Sequence, residues 1–238
     1  MTELQEIQTL FSGAARAIES RFAERAMLAG DVSPGQLTEA LTQLLHVFDK
    51  LDRENGEYGP LPYDDPSELG EHGVNIAADL ATWAERMDLG PAKTDVEKVA
   101  VGIALWVVRH EGEIRALDTI VNGFAAQANS TAAADTLRAL YKAMQVVLEH
   151  SAAPIKQDLD KTNPGRPWRA LNFNFAIVAT RTQDAQLMHE AFDTLSRNLP
   201  EDAPAFFEEG LRQSDKPVYG PIVKSLMQEY FTRWTVRH

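Results

Sequence analysis

Ten consecutive residues, Val99–Val108 (VAVGIALWVV), carry no charge and no side-chain hydrogen-bonding group apart from the Trp106 indole. A helix exposed on one side shows polar residues at about every third or fourth position. None with a charge falls between Lys98 and Arg109, so a helix through this run is apolar all round and buried on every side. Just ahead, Thr94 and Glu97 have the spacing of a capping box, which predicts that the helix opens there. The run is far short of the roughly 20 apolar residues that cross a bilayer. Its valines also suit a buried strand, but the capping box and the amphipathic segments on both sides favour helix. The expectation is a central helix in an all-α fold.

The flanking segments repeat apolar residues at three- and four-residue steps. Residues 3–28 place Leu4, Ile7, Phe11, Ile18 and Phe22 on one stripe, and Gly30 is the expected stop. Ser33-Pro34 then reads as N-cap and first helical residue of a second helix carrying Leu37, Leu41, Leu44, Leu45 and Phe48. Residues 52–66 hold three prolines and two glycines among acidic residues, which marks a loop. An EF-hand is excluded there, because Arg53 and Leu51 fall where oxygen ligands are required before Gly56. A looser cation site among Asp64, Asp65 and Glu68 is outweighed by the plainer reading, a solvated acidic loop. Ser67 is expected to cap a helix to about Leu89, with an irregular opening at Gly70 and Gly73, and Gly90-Pro91 closes it. After a bend at His110–Gly112, helices are expected at about 114–127, from Ser130 or Thr131 to His150, briefly near 155–160, from Pro167, from about Ala185, at about 203–213, and across Ile222–Trp234.

This pattern predicts an all-α chain of antiparallel helix pairs, arranged as an irregular α-α superhelix, with a compact helical bundle as the alternative. The pairing is TPR-like without a regular repeat. The Trp, Leu-Gly and Tyr positions of that repeat are unmatched, and no period of about 34 residues recurs. A single all-helical domain over 1–238 is expected, with a conceivable subdivision into an N-terminal hairpin, 1–50, and a main array, 67–238.

Charge and composition narrow the function classes. The formal net charge is −12, which repels a polyanion, and no nucleic-acid partner is expected. Cysteine is absent, which removes thiolate catalysis, disulfides and Cys-ligated metals. Glu3 and Glu6 stand where a secretory signal carries basic residues, so a cytoplasmic protein without a membrane association is expected. No nucleotide-binding glycine motif and no GxSxG occurs. Of the six histidines, no two have the HExxH spacing for zinc. His189 and Asp193, one turn apart, suit a surface ion pair more than a metal or an acid–base pair. No cofactor, no metal and no catalytic residue is assigned.

One stretch stands out, Asn163–Asn174. Arg166 and Arg169 lie near a helix N-terminus whose free N–H groups favour an anion, and Asn172 is an amide in an apolar helix that needs a partner. Trp168 lies between the arginines; packing in the core is its simplest role, and pairing with acidic neighbours is that of Arg166 and Arg169. The leading expectation is a non-enzymatic helical scaffold that presents a groove to a protein or peptide partner, a homodimer being one form of that association. The alternative is a protein or enzyme that binds a small anionic molecule in an inter-helix pocket near Arg166, Trp168, Arg169, Asn172 and His189.

Overall fold

The computed structural model describes residues 3–25 and 32–235. Among them are eleven helices and no extended strand, so the chain is all-α. The helices are α1 (Glu3–Glu24), α2 (Pro34–Asn55), α3 (Pro66–Arg86), α4 (Gly90–Arg109), α5 (Asp118–Asn129), α6 (Ala134–His150), α7 (Ala153–Lys156), α8 (Pro167–Thr182), α9 (Ala185–Asn198), α10 (Ala203–Gln213) and α11 (Pro221–Thr235). No helix among the described residues is long and apolar enough to cross a membrane. The expected stop at Gly30 and the terminal His238 lie outside the described residues.

The chain divides into two compact units, residues 1–127 with 149–153, and residues 128–148 with 154–238. The dividing line runs through α5 rather than at the acidic loop after residue 50. In the first unit α4 is the central helix, and it packs on both α1 and α3. Val96, Val99, Ala100, Ile103, Ala104 and Trp106 are all buried, as the uncharged run requires. The close approaches are made at glycines. A Cβ on Gly102 would lie 2.1 Å from Ile7 Cδ1 of α1, and one on Gly70 would lie 2.1 Å from Val107 Cγ2. One on Gly123 would stand 2.2 Å from the Glu97 carbonyl oxygen. Gly70 and Gly73 therefore leave α3 regular from Pro66 onward, and their cost in helix propensity is offset by packing against α4.

Several helix starts differ from the sequence expectation. The central helix begins at Gly90, with Pro91 in its first turn and Leu89 as an N-cap that makes no side-chain bond; Thr94 is inside the helix. Proline pre-sets the helical φ and has no N–H to satisfy, so it initiates four residues before the capping box. At α3 the cap is Asp65, whose Oδ1 accepts from the Ser67 amide at 2.8 Å. The Ser67 hydroxyl is turned to the Glu113 amide instead, at 2.9 Å. Ile114 precedes α5: its amide donates to the His150 carbonyl at 2.8 Å and its carbonyl accepts from Ala152 at 2.9 Å, an isolated parallel bridge to Ser151. The Ser33 capping box of α2 is present as expected.

In the second unit α8 packs on α9, α10 on α11, and α9 on α11. The α8–α9 joint is a left-handed Gln183 (φ 54°) followed by Asp184, which caps α9 through the amides of Gln186 and Leu187. Phe192, Phe206, Phe207 and Tyr230 form an aromatic core with ring centroids 5.1–6.3 Å apart. Their edge-to-face and tilted contacts are favourable for aromatic quadrupoles.

Candidate functional site

Pro167 starts α8, and the segment just before it brings two arginines against two aspartates. Arg166 is buried; its Nε donates to Asp158 Oδ1 at 2.7 Å and its Nη2 to Asp202 Oδ2 at 2.6 Å. Arg169 Nε donates to the other Asp202 oxygen at 2.7 Å, and its Nη1 to the Pro164 carbonyl at 2.9 Å. The Asp158 hydrogen bond, opposed by burial, and the Asp202 contact hold the Arg166 guanidinium above its ordinary range. Burial alone would raise the Asp202 carboxyl, yet the bonds from Arg169 and Arg166 hold it below the usual carboxylate range. Two positive and two negative groups therefore neutralise one another. The guanidinium donors that the sequence offered to an anion are taken up by the protein's own carboxylates.

Asn172 is fully buried and internally satisfied. Its Nδ2 donates to the Trp168 carbonyl, and its Oδ1 accepts from Asn198 Nδ2 of α9, both at 2.8 Å. Trp168 is a core residue, and its indole N–H is buried without a hydrogen-bond partner. Arg181, the third basic residue of this region, reaches the Ala128 and Thr131 carbonyls at 2.8 and 2.5 Å, beside the C-terminus of α5. That placement suits a cation next to a helix C-terminus.

His189 belongs to a different cluster. Its Nδ1 is 3.2 Å from the Tyr230 hydroxyl, which donates to Asp193 Oδ1 at 2.7 Å. Arg233 lies over the Tyr230 ring, 4.3 Å from its centroid, and 3.4 Å from Asp193. Burial first, and then the Asp193 carboxylate, push the Tyr230 phenol well above its usual range. His189 and Asp193 do meet, as their spacing suggested, but through a tyrosine. Neither lines the cavity that Arg169 borders.

That cavity is the apolar concave feature of this unit; a second, of about 360 Å³, is lined by Asp193, Ser196, Arg197, Arg233 and Trp234. The apolar cavity has a volume of about 420 Å³ and lies between α8, α10 and α11. Its apolar lining comes mainly from Phe173, Ile177, Phe206, Val223 and Met227, with Arg169, Thr180, Glu209, Gln213 and Tyr219 as its polar members. Arg169 stacks on Phe173 with its guanidinium carbon 4.0 Å from the ring centroid. Glu209 is held by Gln213 at 2.5 Å and Arg212 at 2.6 Å, which keeps its carboxyl below the usual range. Both charged lining residues are thus compensated, and the space they border is apolar. Gly210 lets α10 approach α11 at its edge, because a Cβ there would meet Met227 Sδ at 2.6 Å.

Phe173 and Ile177 are the residues that a one-stripe reading of α8 passes over. They sit one turn apart on the face opposite Leu171, Phe175 and Val178, and Ile177 is 44 % exposed. An apolar second stripe on a helix that already has a buried one is the signal that marks them. Val218 and Ile222 are further exposed apolar residues of this unit, at 67 % and 41 %. Among the described residues no group of three or more histidines and carboxylates is placed to hold a metal ion. No protein-family model, curated protein or solved structure matches the chain.

Proposed function

We propose that this protein is a non-enzymatic interaction module whose second unit receives the apolar side chains of an amphipathic partner segment in the groove between α8, α10 and α11. The observation that carries this reading is an apolar cavity of about 420 Å³ whose bordering charges are already paired within the protein. A site built for catalysis or for an anionic ligand places an uncompensated titratable group or cation against the space it encloses. Here Arg169 is committed to Asp202, and Glu209 to Arg212. The part of a ligand that enters is therefore uncharged. The net charge of −12 favours a partner whose flanking residues are basic. One or two bulky side chains at i and i+4 of a helix fill a space of this size, the arrangement of helix-in-groove recognition.

Calorimetry with a synthetic amphipathic leucine–lysine helix as probe, against its leucine-to-serine counterpart, tests the proposal. The expected result is saturable binding of the leucine peptide alone, lost in Ile177→Asp while the melting temperature is kept. Binding of decanoate or octanol without binding of the peptide would replace the proposal by a small-molecule reading. A dimer in sedimentation that Ile177→Asp dissociates, with no peptide binding, would make the second copy the occupant.

A further inference from the structure

The segment between α2 and α3 is hydrogen-bonded to the end of α4 at Gly59. Gly59, with φ +100°, donates its N–H to the Arg109 carbonyl at the end of α4 at 2.9 Å. Its own carbonyl lies 2.8 Å from His110 Nδ1. The other ring nitrogen, Nε2, is 2.9 Å from Asp52 Oδ1 of α2, which also accepts from the Trp106 indole at 2.7 Å. The His110 side chain is fully buried, and Phe48 stacks on Trp106 with ring centroids 3.8 Å apart, closing the opposite side.

A backbone carbonyl has no hydrogen to give, so Nδ1 must donate to Gly59. An oxygen that already accepts from Trp106 and lies on a carboxylate beside Arg109 (3.8 Å to its other oxygen) is an acceptor too. A neutral imidazole has one N–H and one lone pair, and cannot serve both. Only the doubly protonated ring makes both bonds. When the second proton leaves, the bond to the charged carboxylate is the stronger and is kept. The lone pair then turns to Gly59, whose carbonyl repels it.

We infer that residues 57–64 form a pH-sensitive strap, latched at Gly59 by His110 and released as pH rises. The charged groups that face the latch are Asp52 from α2, Arg109 from α4 itself, and Glu3 of α1, which is 3.1 Å from Arg109. From the strap come the Gly59 carbonyl and the Tyr58 ring, which lies 5.9 Å from the Arg109 guanidinium carbon. Arg109 stays charged throughout, and with Glu3 and Asp52 it holds the α1–α2–α4 contact while the strap opens. Release bares Asp52, Trp106 and His110 to solvent and leaves the Arg109 carbonyl without its Gly59 donor.

Amide hydrogen exchange of the whole chain, corrected for the intrinsic pH dependence of exchange, reads the latch at the Gly59 amide, with the Ile103 amide in mid-α4 as the report on global unfolding. Protection at Gly59 is expected to fall about tenfold or more between pH 5.5 and 8.5, while Ile103 stays protected. His110→Asn keeps a donor where Nδ1 stands, and should hold Gly59 protected at both pH values. His110→Gln keeps a donor only where Nε2 stands, and should release Gly59 at both. The same loss in both variants with Ile103 still protected would overturn the assignment of the two nitrogens. Should either variant fail to fold, the wild-type profile decides alone: a Gly59 protection that does not change with pH overturns the proposal.

Discussion

The first unit closes around its most apolar helix, whereas the second leaves apolar side chains facing an open space. In the first, glycines at 70, 102 and 123 let neighbouring chain segments come into direct contact with α4 or its backbone. In the second, Phe173, Phe206 and Met227 stand where α8, α10 and α11 converge, and a cavity of about 420 Å³ remains. The polar groups divide in the same way. Those around His110 fasten a loop onto the first unit, and those around Asp202 neutralise one another at the start of α8. Small residues at a helix crossing produce a sealed interior, and large ones on the outer stripe of a helix leave an apolar surface open.

The largest effect that breaks this comparison is expected at the arginine–aspartate network. Asp158→Ala leaves the buried Arg166 without its principal partner. It should cost about 3 kcal/mol, read by denaturant unfolding, because the desolvated guanidinium is left to share the single carboxylate of Asp202 with Arg169. The same network carries an acid dependence. The Asp202 carboxyl is held below its unfolded value, so its contribution is complete above the ordinary carboxylate range and is lost as pH falls through its folded value. Asp202→Asn should flatten the acid limb of the stability profile.

In the first unit, Gly102→Ala should destabilise by about 1–3 kcal/mol through overpacking against Ile7. Gly210→Ala meets only the flexible end of Met227, and should cost much less while narrowing the groove. A smaller change of opposite sign is expected at Glu97. It is buried in α4, and desolvation raises its carboxyl despite Lys93. A carboxyl raised on folding favours the folded state less as pH climbs past its unfolded value. Glu97→Gln should therefore raise the melting temperature at neutral pH and not in acid. The smallest stability change is expected at Ile177→Asp, within about 0.5 kcal/mol as for most surface substitutions.

The all-α class and most helix ends were legible because hydrophobic period, proline and glycine act locally. The uncharged run at Val99–Val108 placed the central helix correctly. It was misdated at its start because Pro91 outcompetes the Thr94–Glu97 box. Ile114 was drawn into a helix because its alternative partners, His150 and Ala152, are distant in sequence. The site was legible only in part for the same reason. Arg166 and Arg169 announced themselves as cations near a helix start, but Asp202, which takes up both, lies 36 and 33 residues away. The groove needs residues from three helices, and no local pattern joins Phe173 to Phe206 and Met227.

The central claim, an open apolar space in one unit and a sealed interior in the other, is tested most directly by methyl NMR during titration with the leucine–lysine helix. The Ile177 δ1 and Met227 ε methyls should shift and saturate together, while the Ile103 δ1 methyl, buried in α4, stays in place. Unmoved Ile177 and Met227 methyls, or an equal shift at Ile103, would contradict the account.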